Sequence, residues 1–156
     1  MSNDTNTKKA GPKGTFKVKL KSPGDENKLT SGPDLWMVAN REPQEVTCTW
    51  SSDANAALRF THVEGMNGVI WQVQNEDSRI RGKYLSFKPQ ALAFKDDFRV
   101  AEVWKVKPHL HGDVIFWTDD NGRTSYVGNE IHTRRNQGVI MLSILDDAAI
   151  VEVVNL

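Results

Sequence analysis

The chain has 156 residues, enough for one domain with a sizeable core. Its 20 basic and 20 acidic side chains cancel and are interleaved, which excludes a global field for nucleic acid or an anionic membrane. The one cysteine, Cys48, excludes an internal disulfide and fits a reducing, cytoplasmic compartment.

Residues 1–13 are polar, with no apolar stretch that could serve as a signal peptide, and read as a flexible tail before a single domain over 14–156. No run approaches the ~18 apolar residues of a membrane span. From Phe16 onward apolar residues alternate over four to seven positions and are broken by Gly, Pro, Asn and Asp, the pattern of half-buried strands joined by turns. Twelve strands are expected. The first four lie near 15–21, 35–39, 45–50 and 57–63. The next four lie near 69–74, 83–87, 91–95 and 101–107. The last four lie near 113–118, 124–128, 139–144 and 149–154. The run Val139 to Leu145 is continuously apolar and also admits a short helix.

A phrase recurs through these strands. Phe16, Val69 and Val114 open it at spacings of 53 and 45 residues; Trp36, Tyr84 and Tyr126 follow at 48 and 42; Leu58, Trp104 and Val151 close it at 46 and 47. Repeats of this length cannot bury their apolar faces singly and must pack on one another. Three all-β units predict a β-trefoil of twelve strands in three pseudo-repeats, closed so that few strand edges stay exposed.

Catalytic and metal motifs are weak. Cys48 alternates with Val46 and Trp50, as a core cysteine would, and no histidine stands near it. His109 and His111 could share one strand face for a metal, but His62 and His132 are the only others and no acidic cluster accompanies them. Asp119-Asp120-Asn121-Gly122 fails as a calcium loop, because Thr124 stands where glycine is required; Asn121-Gly122 reads as a hairpin turn. Asp96-Asp97 and Asp146-Asp147 point to opposite strand faces and do not converge. No phosphate loop or nucleophile elbow occurs. The expectation is a non-enzymatic binding protein with no cofactor and no metal. Of five tryptophans, Trp36, Trp71 and Trp104 read as core; Trp50 and Trp117, beside turns, are the ones that could stack on a ligand.

Gly14-Thr15-Phe16-Lys17-Val18, Pro23-Gly24 with Asn27-Lys28-Leu29, Leu35-Trp36-Met37-Val38-Ala39, Glu45-Val46-Thr47 and Ile70-Trp71-Gln72-Val73 resemble the small β-trefoil proteins of mushrooms. Among those the likeness is nearest to the mycocypin inhibitors of cysteine proteases and covers most of residues 14–87. The resemblance implies a loop-presenting protease inhibitor, monomeric or weakly dimeric. Loops carrying Pro23, Gly24 and Asp25, and Ser52 and Asp53, would enter a papain-like cleft. Asn75, or Arg79 and Arg81, would serve an asparagine-specific or trypsin-like protease. The alternative is a trefoil lectin with Trp117, Asp119 and Asn121 as its glycan pocket, although the Gln-x-Trp tripeptide of ricin-type lectins is absent. A purely protein-binding trefoil, as in actin-bundling relatives, is a third reading. Expected partners are therefore a protease or a glycan, with no nucleic acid and no membrane.

Overall fold

A computed structural model describes residues 14–21, 33–41, 45–132 and 138–156. The expected tail over 1–13 and the loop residues Pro23, Gly24 and Asp25 lie outside the described residues. Within them the chain is all-β. The strands are β1 (Phe16–Leu20), β2 (Leu35–Ala39), β3 (Cys48–Ser51), β4 (Phe60–Glu64), β5 (Val69–Val73) and β6 (Tyr84–Lys88). They continue as β7 (Ala91–Lys95), β8 (Lys105–His109), β9 (Gly112–Thr118), β10 (Thr124–His132), β11 (Gly138–Ser143) and β12 (Val151–Asn155). Single 3-10 turns sit at Ala54–Ala56, Phe98–Val100 and Leu145–Asp147. The apolar run after Val139 is thus strand β11 and then a 3-10 turn, not a helix.

Alternation explains the core. In β1, Phe16 and Val18 are buried while Lys17 and Lys19 are not; in β3, Cys48 and Trp50 are buried and Thr49 is not. Strand β9 departs from alternation because it is covered on both faces. Ile115 joins the main core with Phe60, Trp71 and Leu85, and its neighbour Val114 packs with Tyr126, Ala148 and Ile150 in a second cluster. Rings of Phe16, Phe60 and Trp71 stand 4.9–5.7 Å apart in tilted and edge-on contacts, a geometry that adds to plain burial.

The hydrogen-bonded circuit corrects the expected β-trefoil. A trefoil closes a six-strand barrel from the outer strands of each unit and caps it with three hairpins. Here the ladders close through nine antiparallel strands: β1, β4, β5, β6, β7, β11, β10, β9 and β12, which returns to β1. Strands β2 and β3 extend outward from β1, and β8 from β9. The joint between β7 and β11 is one residue pair, Ala91 with Met141. In the first third of the chain Phe16 pairs with Phe60, and in the last third Asp113 with Val151. The corresponding strands of the middle third, β5 and β8, share no ladder. Spacing in the sequence predicts three equal closures. Hydrogen bonds across a sheet are long-range, and one of the three is not made.

A side chain also ties β3 to the barrel. The Glu130 carboxylate, on β10, accepts from the Thr49 hydroxyl and, at 3.1 Å, from the Trp50 backbone N–H. The close approach of β9 to β12 depends on Gly112. A Cβ there would lie 2.7 Å from Ile150 Cγ2 and 2.8 Å from the Val151 carbonyl oxygen, and the latter is backbone and cannot rotate away. Gly112→Ala is therefore expected to destabilise the protein by about 1–3 kcal/mol through strand displacement, read as a lowered midpoint in urea unfolding; an unchanged midpoint would show that the barrel gives at this seam.

Candidate binding cleft

The missing β5–β8 ladder leaves a cleft of about 1340 Å³. At its narrow end the two runs touch through a side chain instead. Gly68 adopts φ +147°, and a Cβ at that position would meet Val103 Cγ1 at 3.0 Å. A larger residue there would be strained by its backbone angle as well as crowded.

Three groups of residues line the cleft. Aromatic side chains form its walls: Trp71 and Trp104 are buried, and Trp117, on β9, is half-buried towards the opening. Its strand neighbour Phe116 packs instead with Tyr126 in the second cluster, with Lys107 Nζ 4.9 Å from its ring centroid. Phe87 backs them, with ring centroids 5.0 Å from Trp117 and 6.5 Å from Trp104, both edge-on. The rim carries charges of both signs, Glu64 and Asp120 against Arg99 and Lys105. Lys105 has no ion-pair partner among the described residues. Arg99 is paired with Asp97 at 2.8 Å and holds that carboxyl below its ordinary range by side-chain hydrogen bonding. His62 stacks on Phe16 at 4.6 Å, and desolvation pushes its imidazole below the usual range, which favours the neutral ring.

The inner wall holds a buried carboxylate. Glu102 is 8% exposed, accepts a hydrogen bond from the fully buried Ser86 hydroxyl, and accepts another from Lys95 Nζ at 3.2 Å. An unpaired carboxylate at that depth would cost several kcal/mol, so the trio must form together. Two residues on, Trp104 donates its indole N–H to the Leu85 carbonyl at 2.9 Å, which fixes the ring as wall. Lys95 also lies 5.6 Å from the Phe87 ring centroid, so the same ammonium joins the polar trio to the aromatic wall.

The residues selected from sequence do not assemble into one site. Asn75 brackets the chain from within: its Oδ1 accepts from Arg59 N at 2.7 Å and its Nδ2 donates to the Ala57 carbonyl at 2.9 Å. Arg79 forks onto Asp77 and donates to the Asn40 carbonyl at 2.8 Å. Arg81 makes an exposed pair with Glu76. Ser52 is exposed, and Asp53 caps the first 3-10 turn through Asn55 N. Asp119 turns its carboxylate inward, accepting from Asn121 N and Arg123 N at 2.8 and 2.9 Å, so Asp119 and Asn121 build the hairpin. Trp117 alone of these lines the cleft, and its near neighbour there is Asp120. Trp50 is buried in the core; Trp36 is half-buried on the surface, with Lys17 Nζ 4.5 Å from its ring centroid. Burial of Cys48 pushes its thiol far up, which makes it inert. Among the described residues no three His, Cys, Asp or Glu converge as a metal site.

Sequence reasoning missed Glu64, Arg99, Glu102, Lys105, Phe116 and Asp120. The signal for Glu102 was present: an acid set between apolar Ala101 and Val103, beside a tryptophan, is out of place unless it is partnered.

No family model and no curated protein matches the chain. Among solved structures it is similar to a crystal structure of the lysenin pore, with 17% identity and a TM-score of 0.55, covering 91% of this chain and 47% of the other. It is also similar to lysenin in complex with phosphocholine, with 18% identity and a TM-score of 0.53, covering 92% of this chain and 45% of the other. The chain thus spans less than half the length of the lysenin chains, and the likeness is one of fold. The readings as a loop-presenting protease inhibitor and as a trefoil lectin are corrected accordingly: both rested on a mushroom trefoil framework, and the chain is similar in fold to these lysenin structures. The mycocypin resemblance of residues 14–87 has no counterpart in the comparisons.

Two outcomes are expected. Lys95→Ala leaves the Glu102 carboxylate with only Ser86, and should cost about 2 kcal/mol, below the fully buried case because Lys95 is partly exposed; replacing Glu102 by Gln in the same variant should recover part of that loss in urea unfolding. Asp77→Asn should cost about 1 kcal/mol at neutral pH. Arg79 hydrogen bonding depresses the Asp77 carboxyl below its ordinary 3.8, so its contribution is complete above that value and fades as pH falls through the depressed one. Wild type and Asp77→Asn should therefore converge in stability near the acid limit, and a gap that is constant with pH would contradict the pairing.

Proposed function

We propose that this protein is a non-catalytic recognition module whose cleft takes a zwitterionic headgroup of the phosphocholine type. The observation that carries the reading is the meeting, in one cleft, of the half-buried Trp117 face with unlike charges on the rim. A quaternary ammonium has no hydrogen to donate and is held by aromatic faces and nearby carboxylates; Trp117, with Glu64 and Asp120, supplies both. The phosphate end requires cations, and Lys105 and Arg99 stand on the same rim. One solved structure with this fold is a phosphocholine complex, which supports the choice of headgroup.

This reading departs from the expectation of no membrane partner. That expectation followed from net charge and from the lack of a long apolar run. Among the described residues no helix is long and apolar enough to cross a membrane, and a headgroup cleft needs none. The reading also needs no nucleophile: the Ser86 hydroxyl is spent on Glu102 and buried.

Titration of the protein with phosphocholine, followed by calorimetry, should give saturable one-to-one binding. Trp117→Ala should weaken it about 10-fold, the order of one cation–π contact, and Lys105→Glu should weaken phosphocholine more than choline. Absence of saturable binding up to several millimolar, the weak end of the affinity scale at about −3 to −4 kcal/mol, would overturn the reading.

A further inference from the structure

Seven large apolar side chains are well exposed among the described residues; two of them, Val100 and Val106, line this cleft, and two more, Met66 and Phe98, directly precede the lining residues Asn67 and Arg99. Met66, 64% exposed, tips the tight turn closed by Gly65 N–H to the Gly68 carbonyl, and the next residues Asn67 and Gly68 line the cleft. Phe98 and Val100, 43% and 55% exposed, belong to the 3-10 turn on the facing side, where Val100 also lines the cleft. Val106 follows on the outer edge of β8. Burying none of these in the fold leaves their transfer free energy unspent.

We infer that this apolar lip enters the interfacial layer of a phospholipid bilayer, so that the cleft receives its headgroup from a membrane surface. The inference rests on the headgroup reading and names its source. Three features favour a bilayer over a second copy of the chain. The apolar side chains stand on turn tips, around a cleft, and do not form the flat contiguous face that a stable dimer buries at about 800 Å² per partner. Protruding side chains suit a soft apolar medium that deforms round them. Basic residues adjoin the lip in sequence, Arg99 between Phe98 and Val100 and Lys105 before Val106, and both line the cleft. Long cationic side chains in that arrangement lay their stems along acyl chains and reach lipid phosphates. Lys107 is already drawn towards the barrel, with Nζ 3.2 Å from the Tyr126 hydroxyl, and Arg99 is held by Asp97 at 2.8 Å, which leaves Lys105 as the phosphate-facing cation.

The test compares the full chain with a Met66→Ser, Phe98→Ser variant, whose changes are both at exposed positions outside the cleft lining. Each is measured by flotation with phosphatidylcholine vesicles and by calorimetry with free phosphocholine. The expected result is vesicle binding at least 10-fold tighter than binding of free phosphocholine for the wild type. The double variant should lose most of that advantage and keep its affinity for the free headgroup. Equal vesicle binding by wild type and variant, with free phosphocholine still bound by both, would overturn the lip while leaving the headgroup site standing. Loss of free phosphocholine binding by the wild type itself would overturn the headgroup reading, and this inference with it. Concentration-dependent dimerisation of the wild type in sedimentation, abolished in the variant and unaccompanied by vesicle binding, would assign the lip to a second copy and overturn it too.

Discussion

A carboxylate below the surface constrains everything round it, and in this protein that carboxylate is Glu102. It lies just before β8, on the side where β8 fails to meet β5, and it is stable there only because Ser86 from β6 and Lys95 from β7 both reach it. Those partners fix the approach of the chain to β8. The same approach sets Trp104 against the Leu85 carbonyl and so defines the cleft wall. A ladder between β5 and β8 would have satisfied backbone groups and closed the barrel locally. The polar trio and the contact of Val103 with Gly68 hold the junction instead, and they leave a cavity where a ladder would have left none.

The aromatic residues transmit that arrangement to the surface. Trp104, Phe87 and Trp117 form a row of edge-on contacts leading from the buried wall to the opening. Edge-on packing fixes ring orientation more firmly than burial alone, so Trp117 is held at the opening by contacts that begin in the core. A ring positioned in this way loses little freedom when a ligand arrives, which is the condition under which a weak cation–π contact yields useful affinity.

Much of the strand layout was legible in the sequence, because alternation is a local property. The expected strands at 35–39 and 91–95 coincide with β2 and β7, and Asn121-Gly122 marks a real hairpin with Gly122 at φ +84°. The closure of the circuit was not legible. Which strands pair is settled by contacts across the chain, such as Ala91 with Met141 and the absent β5–β8 ladder, and no periodicity records them. The loop residues misled for a related reason. Asn75 and Arg79 look available in a polar loop, yet each is committed to backbone carbonyls or amides of distant segments, at Ala57 and Arg59 for one and Asn40 for the other. A polar side chain in a turn is as often a bracket for the fold as a tool for a partner.

Net neutrality removes long-range attraction to a polyanion. It does not bear on a zwitterion. A headgroup with both charges has no net charge to be steered, and its recognition depends on short-range placement of opposite charges a few ångströms apart, where Coulomb energies exceed screening. A rim with Glu64 and Asp120 beside Lys105 and Arg99 leaves the formal net charge of the whole chain at zero and still presents a strong local dipole. The composition that made a charged partner improbable is therefore the composition that a neutral, dipolar one requires.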